Sequence, residues 1–145
     1  MLRRLLRSLT SAFVQAAALT ATDAGINLTV LEAMAKEGTI VDVADGAQLT
    51  KVLADWSDAV LLVDCLYGTG LDRMLRPDGV ALVEALDASS LPKVACDLPS
   101  GLDCDSGKPL GAAVRAVRTA TFVGRKRGFD APEAAAFTGE VTVVP

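Results

Sequence analysis

The sequence predicts an α/β domain built on a mostly parallel sheet, and three observations favour this class. The composition is 51% hydrophobic but only 4% aromatic, so leucine, valine and alanine fill the core, which is typical of a parallel sheet covered by helices. Strand-like and helix-like segments alternate along the chain. Two apolar runs, at 59–63 and 93–96, are each followed by an aspartate. A chain of 145 residues suits one well-buried core, so we expect a single domain.

The first 21 residues are basic and carry apolar side chains at helical spacing. Arg3, Arg4 and Arg7 occur there without any acidic residue, and the leucines around them favour an amphipathic helix. The same pattern is typical of an organelle transit peptide, or of a secretory signal with an apolar stretch over 9–19. We expect a cytoplasmic protein with an ordinary amino-terminal helix. Mitochondrial or secreted locations stay open if the segment is a targeting signal.

The rest of the chain alternates between helical spacing and strand-like runs. Helices are predicted at 23–36, 46–56 and 78–88. Strands are predicted at 39–43, 59–63, 93–96, 116–123 and 139–144, with a loop at 124–132. The runs at 59–63 and 93–96 are expected to be central parallel strands that helices cover on both faces. The helix between them has the length that a crossover between neighbouring parallel strands requires.

Charge and residue content exclude several kinds of function. The net charge is −4 and the body of the chain has no basic stripe, so we expect no nucleic-acid partner. No apolar run reaches the ~20 residues of a membrane span, so a membrane partner is not expected. The absence of histidine excludes histidine triads and histidine metal sites. Three cysteines without a CxxC pair favour a reducing compartment over a disulfide framework.

Both apolar runs end in an aspartate. In an open parallel sheet, ligands bind outside the carboxyl ends of the strands, where Asp64 and Asp97 are expected. If the strands are neighbours, the two carboxylates share one sheet edge and lie ~5 Å apart when level with each other. Such a pair can hold a cation, share a proton or divide the roles of acid and base. The alternative is that each aspartate only starts a turn by bonding a backbone amide.

A short loop follows each of these aspartates. Gly68-Thr69-Gly70 lets the backbone approach a ligand and can aim amides at a phosphate, although many ordinary turns share this pattern. Ser100 has no histidine partner, so we expect an oxygen ligand or a turn hydroxyl rather than a nucleophile. Lys126 follows a later strand, where it either faces an anionic ligand or is solvated.

The two loops together carry a resemblance to a known family. The segments VDCLYGTGL at 63–71 and DLPSGLDCDSG at 97–107 closely resemble the two signatures of the YjeF amino-terminal domain family, the NAD(P)H-hydrate epimerases. The segments AVRA at 113–116, TF at 121–122, KRGF at 126–129 and GEVTVV at 139–144 are also similar to it, so the resemblance covers roughly 17–145. It implies a Rossmann-like three-layer fold. It also implies a repair activity that interconverts the R and S epimers of NADHX and NADPHX, the hydrated reduced cofactors.

The resemblance also implies roles for individual residues. Asp97 matches the position that contacts substrate and acts as acid or base. Asp64 and Ser100 match positions that bind one monovalent cation per subunit, typically potassium. Asp97 and Lys126 count among the substrate contacts, and an NAD(P)H-hydrate dehydratase is the functional partner, while a homodimer stays open. The segment expected to line the nucleotide comprises Gly68, Thr69, Gly70, Leu71, Asp72, Arg73 and Met74.

The amino terminus departs from the family. Members carry a first strand that leads into a GNNGGDG loop, which holds phosphate and supplies an asparagine to the cation, and this segment does not occur in the 145 residues. We therefore predict an atypical basic amphipathic segment at 1–16 and an incomplete YjeF amino-terminal-like domain at 17–145. The alternative functions are a catalytically inactive binding or scaffold protein and another nucleotide or sugar-phosphate enzyme on the same fold. Because the sequence ends just after the last predicted strand, we expect no fused dehydratase domain.

Overall fold

A computed structural model describes residues 12–16, 26, 29–30, 32–33, 39–56 and 58–145 of the chain. The chain divides into two compact units, 1–44 and 45–145. Both units contain parallel strands, and the second unit contains the two aspartate loops. The division that we predicted between residues 16 and 17 stays a prediction.

Two parallel strands pair in the first unit. β1 (Ala12–Ala16) lies beside β2 (Thr39–Val43), and the two strands are level along their whole length. β2 has its predicted bounds. The helix predicted over the first 21 residues is wrong at β1, because apolar spacing in a short segment cannot distinguish a helix from a strand that finds a partner.

The helix predicted at 23–36 is represented by five described residues. All five are helical: Ile26, Thr29, Val30, Glu32 and Ala33. The prediction is confirmed at these positions, and the rest of the predicted helix lies outside the described residues. The three amino-terminal arginines also lie outside them, so the targeting alternatives stay open.

Four parallel strands form the sheet of the second unit. They are β3 (Leu62–Asp64), β4 (Lys93–Cys96), β5 (Arg118–Phe122) and β6 (Glu140–Val144), hydrogen-bonded in that order. The helices in the described part of this unit are α1 (Gly46–Asp55), α2 (Pro77–Ala88) and α3 (Ala135–Thr138). This alternation of helices with parallel strands confirms the predicted α/β, Rossmann-like class. Among the described residues, no helix is both long and apolar enough to cross a bilayer.

Local sequence signals explain where α1 and α2 begin. Asp45 precedes α1 and accepts a hydrogen bond from the Gln48 amide at 2.8 Å, as an N-cap residue does. Gly46 then allows α1 to lie against α2, because a Cβ at this position would overlap the carbonyl oxygen of Ala81. α2 begins at Pro77, whose fixed φ suits the first position of a helix.

β3 is shorter than predicted, and it is the first of the four hydrogen-bonded strands described in the second unit rather than one of the two inner strands. The apolar run at 59–63 contributes only its end to the strand, since β3 spans Leu62–Asp64. The strand is also buried on one face only, because Asp64 is 1% exposed whereas Val63 is 62% exposed. The prediction of burial on both faces is therefore wrong here, since an apolar run by itself does not reveal how many neighbours a strand has.

A small apolar cluster supports the loop that follows β4. Leu98 and Leu102 from this loop are buried against Ala113 and Phe129. The stretch predicted as a loop at 124–132 contains a 3-10 turn, Arg127–Asp130, which brings Phe129 into the cluster. Burial of these side chains stabilises the placement of the β4 loop against the segment that follows β5.

Candidate active site

Asp64 and Ser100 form a buried pair that joins the loop after β3 to the loop after β4. The Ser100 amide donates to Asp64 Oδ2 at 2.7 Å, and the Ser100 hydroxyl donates to Asp64 Oδ1 at 2.5 Å. Ser100 Oγ also accepts a hydrogen bond from the Tyr67 amide at 2.8 Å. The family resemblance implied that both residues bind one cation, and the structure brings them into direct contact.

The buried carboxyl group of Asp64 has no basic partner among the described residues, since it belongs to none of their ion pairs. Burial raises its pKa, and hydrogen bonds from Ser100 and from the Leu66 amide oppose that shift. A carboxylate in such a place is stabilised by a proton or by a cation. Asp64 and Ser100 offer oxygen donors, which fit a hard cation such as potassium. No cluster of three or more His, Cys, Asp or Glu side chains in the described part of the chain is placed to hold a metal ion.

Asp97 follows β4 directly and adopts an unusual backbone conformation. Its φ angle is 72°, in the left-handed region that residues other than glycine seldom occupy. The Asp97 amide donates to the Ala120 carbonyl at 2.8 Å, which holds this turn against β5. Such backbone strain costs on the order of 1–3 kcal/mol and clusters at functional sites.

One carboxylate oxygen of Asp97, Oδ1, contacts three groups of the segment 121–126. Oδ1 lies 2.6 Å from Lys126 Nζ, and it accepts hydrogen bonds from the Phe122 amide at 3.1 Å and the Thr121 hydroxyl at 3.2 Å. Oδ2 takes part in none of these contacts, and 25% of the Asp97 side chain is exposed. Oδ1 is therefore held in place while Oδ2 can meet a ligand.

The contacts at Oδ1 favour the ionised form of Asp97. Partial burial opposes ionisation, but the hydrogen bond and charge of Lys126, with the Phe122 amide and the Thr121 hydroxyl, outweigh it and hold the pKa of Asp97 below its usual value. The Lys126 side chain is only 17% exposed, so it is not a freely solvated loop residue. At neutral pH Asp97 is a carboxylate that can accept a proton.

The two aspartates share the carboxyl edge of the sheet, but they are not level. β3 and β4 are neighbours, as predicted, and Asp64 is level with Ala95. Asp97 lies two residues further along the chain than Ala95, so the ~5 Å separation expected for level residues does not apply. Because Asp64 contacts Ser100 and Asp97 contacts Lys126, the geometry favours separate roles over a shared proton.

A cavity of about 400 Å³ lies beside the loop that follows β3. Its lining comes from Tyr67, from the segment 70–76, and from Asp78 and Gly79 at the start of α2. Of the residues predicted to line the nucleotide, those at 70–74 surround this cavity, and Gly68 and Thr69 are not among its lining residues. Asp97 and Lys126 do not line it either.

The sequence analysis did not single out two residues at the carboxyl edge of the sheet, Thr121 and Tyr67. Thr121 is fully buried near the end of β5, where its hydroxyl reaches Asp97. Tyr67 links the two regions, because its amide donates to Ser100 while the residue also lines the cavity. Both lie in segments that resemble the family, which was the available signal, but their contacts depend on strands that are distant in sequence.

The parallel strand order defines a Rossmann-like α/β domain, a class in which ligands bind outside the carboxyl ends of the strands, and carboxylates lie at those ends of β3 and β4. Comparison with family models then identifies the kind of domain. The model described as YjeF-related protein N-terminus matches residues 7–128, and the chain belongs to that family. The family predicted from the two loops is confirmed.

Relatives of known name share this similarity. An NAD(P)H-hydrate epimerase from Limosilactobacillus reuteri is 33% identical over 128 residues, which cover 83% of this chain and 60% of the relative. The NAD(P)H-hydrate epimerase of Achromobacter xylosoxidans is 46% identical over 72 residues, covering 50% of this chain and 35% of the relative. The bifunctional NAD(P)H-hydrate repair enzyme Nnr of Pyrobaculum aerophilum is 45% identical over 94 residues, which cover 64% of this chain and 19% of the relative. The chain thus spans between 19% and 60% of the length of these relatives.

Proposed function

We propose that this chain carries the catalytic residues of an NAD(P)H-hydrate epimerase and interconverts the R and S forms of NADHX and NADPHX. The observation that carries the proposal is Asp97, an ionised carboxylate whose Oδ1 is held by Lys126 while Oδ2 is left for substrate. Family membership and the names of the relatives support the same reaction.

The chemistry of the substrate suits a carboxylate base. Hydration of a reduced nicotinamide places a hydroxyl group on a ring carbon bonded to the ring nitrogen. Asp97 takes the hydroxyl proton as the carbon–nitrogen bond opens to a carbonyl and the nitrogen receives the electron pair. Closure on the other face of the carbonyl, with the proton returned to oxygen, inverts the carbon. Asp97 is ionised for the first step, and Lys126 holds its Oδ1 in place.

The cavity beside the β3 loop is proposed to receive the nucleotide. Arg73 and Arg76 are both largely exposed at its wall, where they can meet phosphate oxygens. Each lies near an acidic neighbour, since Arg73 pairs with Asp72 at 2.9 Å and Arg76 lies 4.0 Å from Asp78. A bound phosphate would compete with these carboxylates, which predicts moderate affinity.

Asp64 and Ser100 are proposed to hold a potassium ion. The support is chemical, because the carboxyl group is buried, lacks a basic partner among the described residues and sits beside a hydroxyl oxygen. The ion would supply the positive charge that a buried carboxylate needs. Asp64 also connects through Ser100 to the Tyr67 amide, so ion binding would order the start of the β3 loop.

An NAD(P)H-hydrate dehydratase is proposed as the functional partner. The relative from Pyrobaculum aerophilum is named a bifunctional repair enzyme, which supports a coupling between two repair steps. A reducing compartment such as the cytoplasm suits the three free cysteines. A homodimer stays a hypothesis that light scattering of the purified chain tests.

The decisive assay is recovery of NADH from purified (R)-NADHX in the presence of an S-specific dehydratase and potassium. Replacing Asp97 with Asn is expected to lower kcat by roughly 10²–10⁴-fold, the usual contribution of a general base. Asp105→Asn is a matched control, because Asp105 lies exposed in the same loop. Recovery that survives Asp97→Asn overturns the assignment of the base. No recovery from a folded wild-type chain favours the binding or scaffold alternative.

A further inference from the structure

Two of the three cysteines occupy matching positions at the ends of neighbouring strands. Asp64 is level with Ala95 at the last pair of the β3–β4 ladder, and Cys65 and Cys96 are the residues that directly follow this pair. The two side chains are close enough for Cys96 to contribute, after burial, to the raised pKa of the Cys65 thiol. Both thiols are free, Cys65 is exposed and Cys96 is half-buried. The proposed epimerase chemistry uses neither of them.

The spacing of the strands suits a covalent link between these side chains. Neighbouring strands lie ~4.8 Å apart, which falls inside the range of roughly 4.4–6.8 Å between the Cα atoms of disulfide-bonded cysteines. The Cβ atoms of a disulfide are somewhat closer than the strands, so one cysteine has to move. Cys65 can do so, because β3 ends at Asp64 and Cys65 lies beyond the last paired residue.

We propose that Cys65 and Cys96 form a reversible intrachain disulfide when the protein meets a low-molecular-weight disulfide such as oxidised glutathione. The exposed Cys65 thiolate attacks one sulfur of oxidised glutathione, forms a mixed disulfide and releases one glutathione thiolate. Cys96 then loses its proton, attacks the Cys65 sulfur and releases the second glutathione. Two protein thiols are oxidised, and one glutathione disulfide is reduced to two thiols.

The link would join the residue directly after Asp64 to the residue directly before Asp97. It would therefore connect the starting points of both site loops through a single bond between β3 and β4. Burial, with contributions from Cys96 and Asp64, raises the pKa of Cys65 to about 12. Little thiolate exists at neutral pH, so the exchange is slow and calls for a long incubation. An effect on turnover would rest on the proposed epimerase function, whereas formation of the bond does not.

The test incubates the full native chain with oxidised glutathione, alkylates the remaining thiols after denaturation, and measures intact mass and linked peptides. We expect free thiols to fall from three to one, with a monomer that has lost two hydrogen atoms and a peptide linking Cys65 to Cys96. Dithiothreitol should restore all three thiols. Cys104→Ser is the matched control and should form the same bond, because Cys104 lies in the β4 loop and packs against the Leu98 cluster.

Single variants of the pair separate this proposal from general oxidation. Cys96→Ser should stop at a mixed disulfide on Cys65, and Cys65→Ser should yield no intrachain bond. A linked peptide that contains Cys104, or a covalent dimer as the main product, overturns the proposal. So does the persistence of three thiols in the native chain under conditions that oxidise the urea-unfolded chain. These readouts do not depend on whether the chain turns over NADHX.

Discussion

The loops after β3 and β4 both place glycine close to an aspartate, but glycine serves opposite purposes in them. At Gly68 and Gly70, an added Cβ would meet no atom within 4 Å. At Gly101, the φ angle is +86° and an added Cβ would overlap the carbonyl oxygen of Ala112. Packing requires glycine in the β4 loop, whereas in the β3 loop it leaves room for a ligand.

This difference between the two loops suits them to different parts of the site. The β4 loop is buried and tied down, with Ser100 and Leu102 almost fully covered, so it can hold Asp97 in a strained backbone. The β3 loop is exposed at Gly68, Thr69 and Gly70 and continues into the wall of the cavity. Catalysis is favoured when reactive groups are held rigidly next to a binding loop that the substrate can reach.

The largest effect is expected when the packed glycine is replaced. Gly101→Ala introduces both a backbone overlap and a side chain at positive φ, so we expect a loss of roughly 3 kcal/mol or more in the free energy of unfolding. Urea denaturation followed by circular dichroism measures the change. A loss below about 0.5 kcal/mol would contradict the conclusion that packing requires glycine in the β4 loop.

A second prediction concerns Lys126, which follows β5 and contacts the Asp97 carboxylate. Lys126→Met removes the charge that lowers the pKa of Asp97, so the acidic limb of the kcat/KM profile should move to higher pH. In the wild type the lowered pKa of Asp97 is expected to keep the proposed base ionised, so the proposed activity should fall only below the usual aspartate pKa of 3.8. Lys126→Arg keeps a positive charge and should shift the profile less. Identical profiles for wild type and Lys126→Met would contradict this role.

A third prediction concerns the buried carboxyl group of the β3 strand. Because the folded-state pKa of Asp64 is raised, its contribution to stability falls as pH rises from 3.8 through that folded value. Asp64→Asn removes this pH-dependent loss and should be more stable than wild type at neutral pH without potassium. Urea unfolding with potassium chloride, against tetramethylammonium chloride, should show stabilisation by potassium in the wild type only. Equal potassium stabilisation of both proteins would refute the proposed cation site.

The smallest effect on stability is expected in the open loop. Gly70→Ala meets no neighbouring atom, so the free energy of unfolding should change by less than about 0.5 kcal/mol. If this position faces the nucleotide, KM for NADHX should rise while kcat stays nearly unchanged. Gly124→Ala is a matched control, since Gly124 also has open space but lies outside the cavity lining. An unchanged KM would place the nucleotide elsewhere.

Much of the second unit could be predicted from local patterns. β4 has its predicted bounds and α2 begins one residue early, because a short apolar run that ends in an aspartate and helical spacing between turn residues are local signals. β1 was missed, since its strand conformation depends on a partner in β2. The outer position of β3 within the described four-stranded sheet of the second unit was also missed, because the number of neighbours of a strand is not encoded in its own residues.

The sequence by itself determined that two aspartates end neighbouring strands, and that their loops belong to this family, because residue type and spacing along the chain are enough for both. Only the tertiary structure decided that Asp97 forms an ion pair with Lys126, that Asp64 accepts hydrogen bonds from Ser100 and that Cys65 lies close to Cys96. Each of these contacts joins segments well separated along the chain. They depend on strand register and on the packing of loops, which single-chain patterns do not specify.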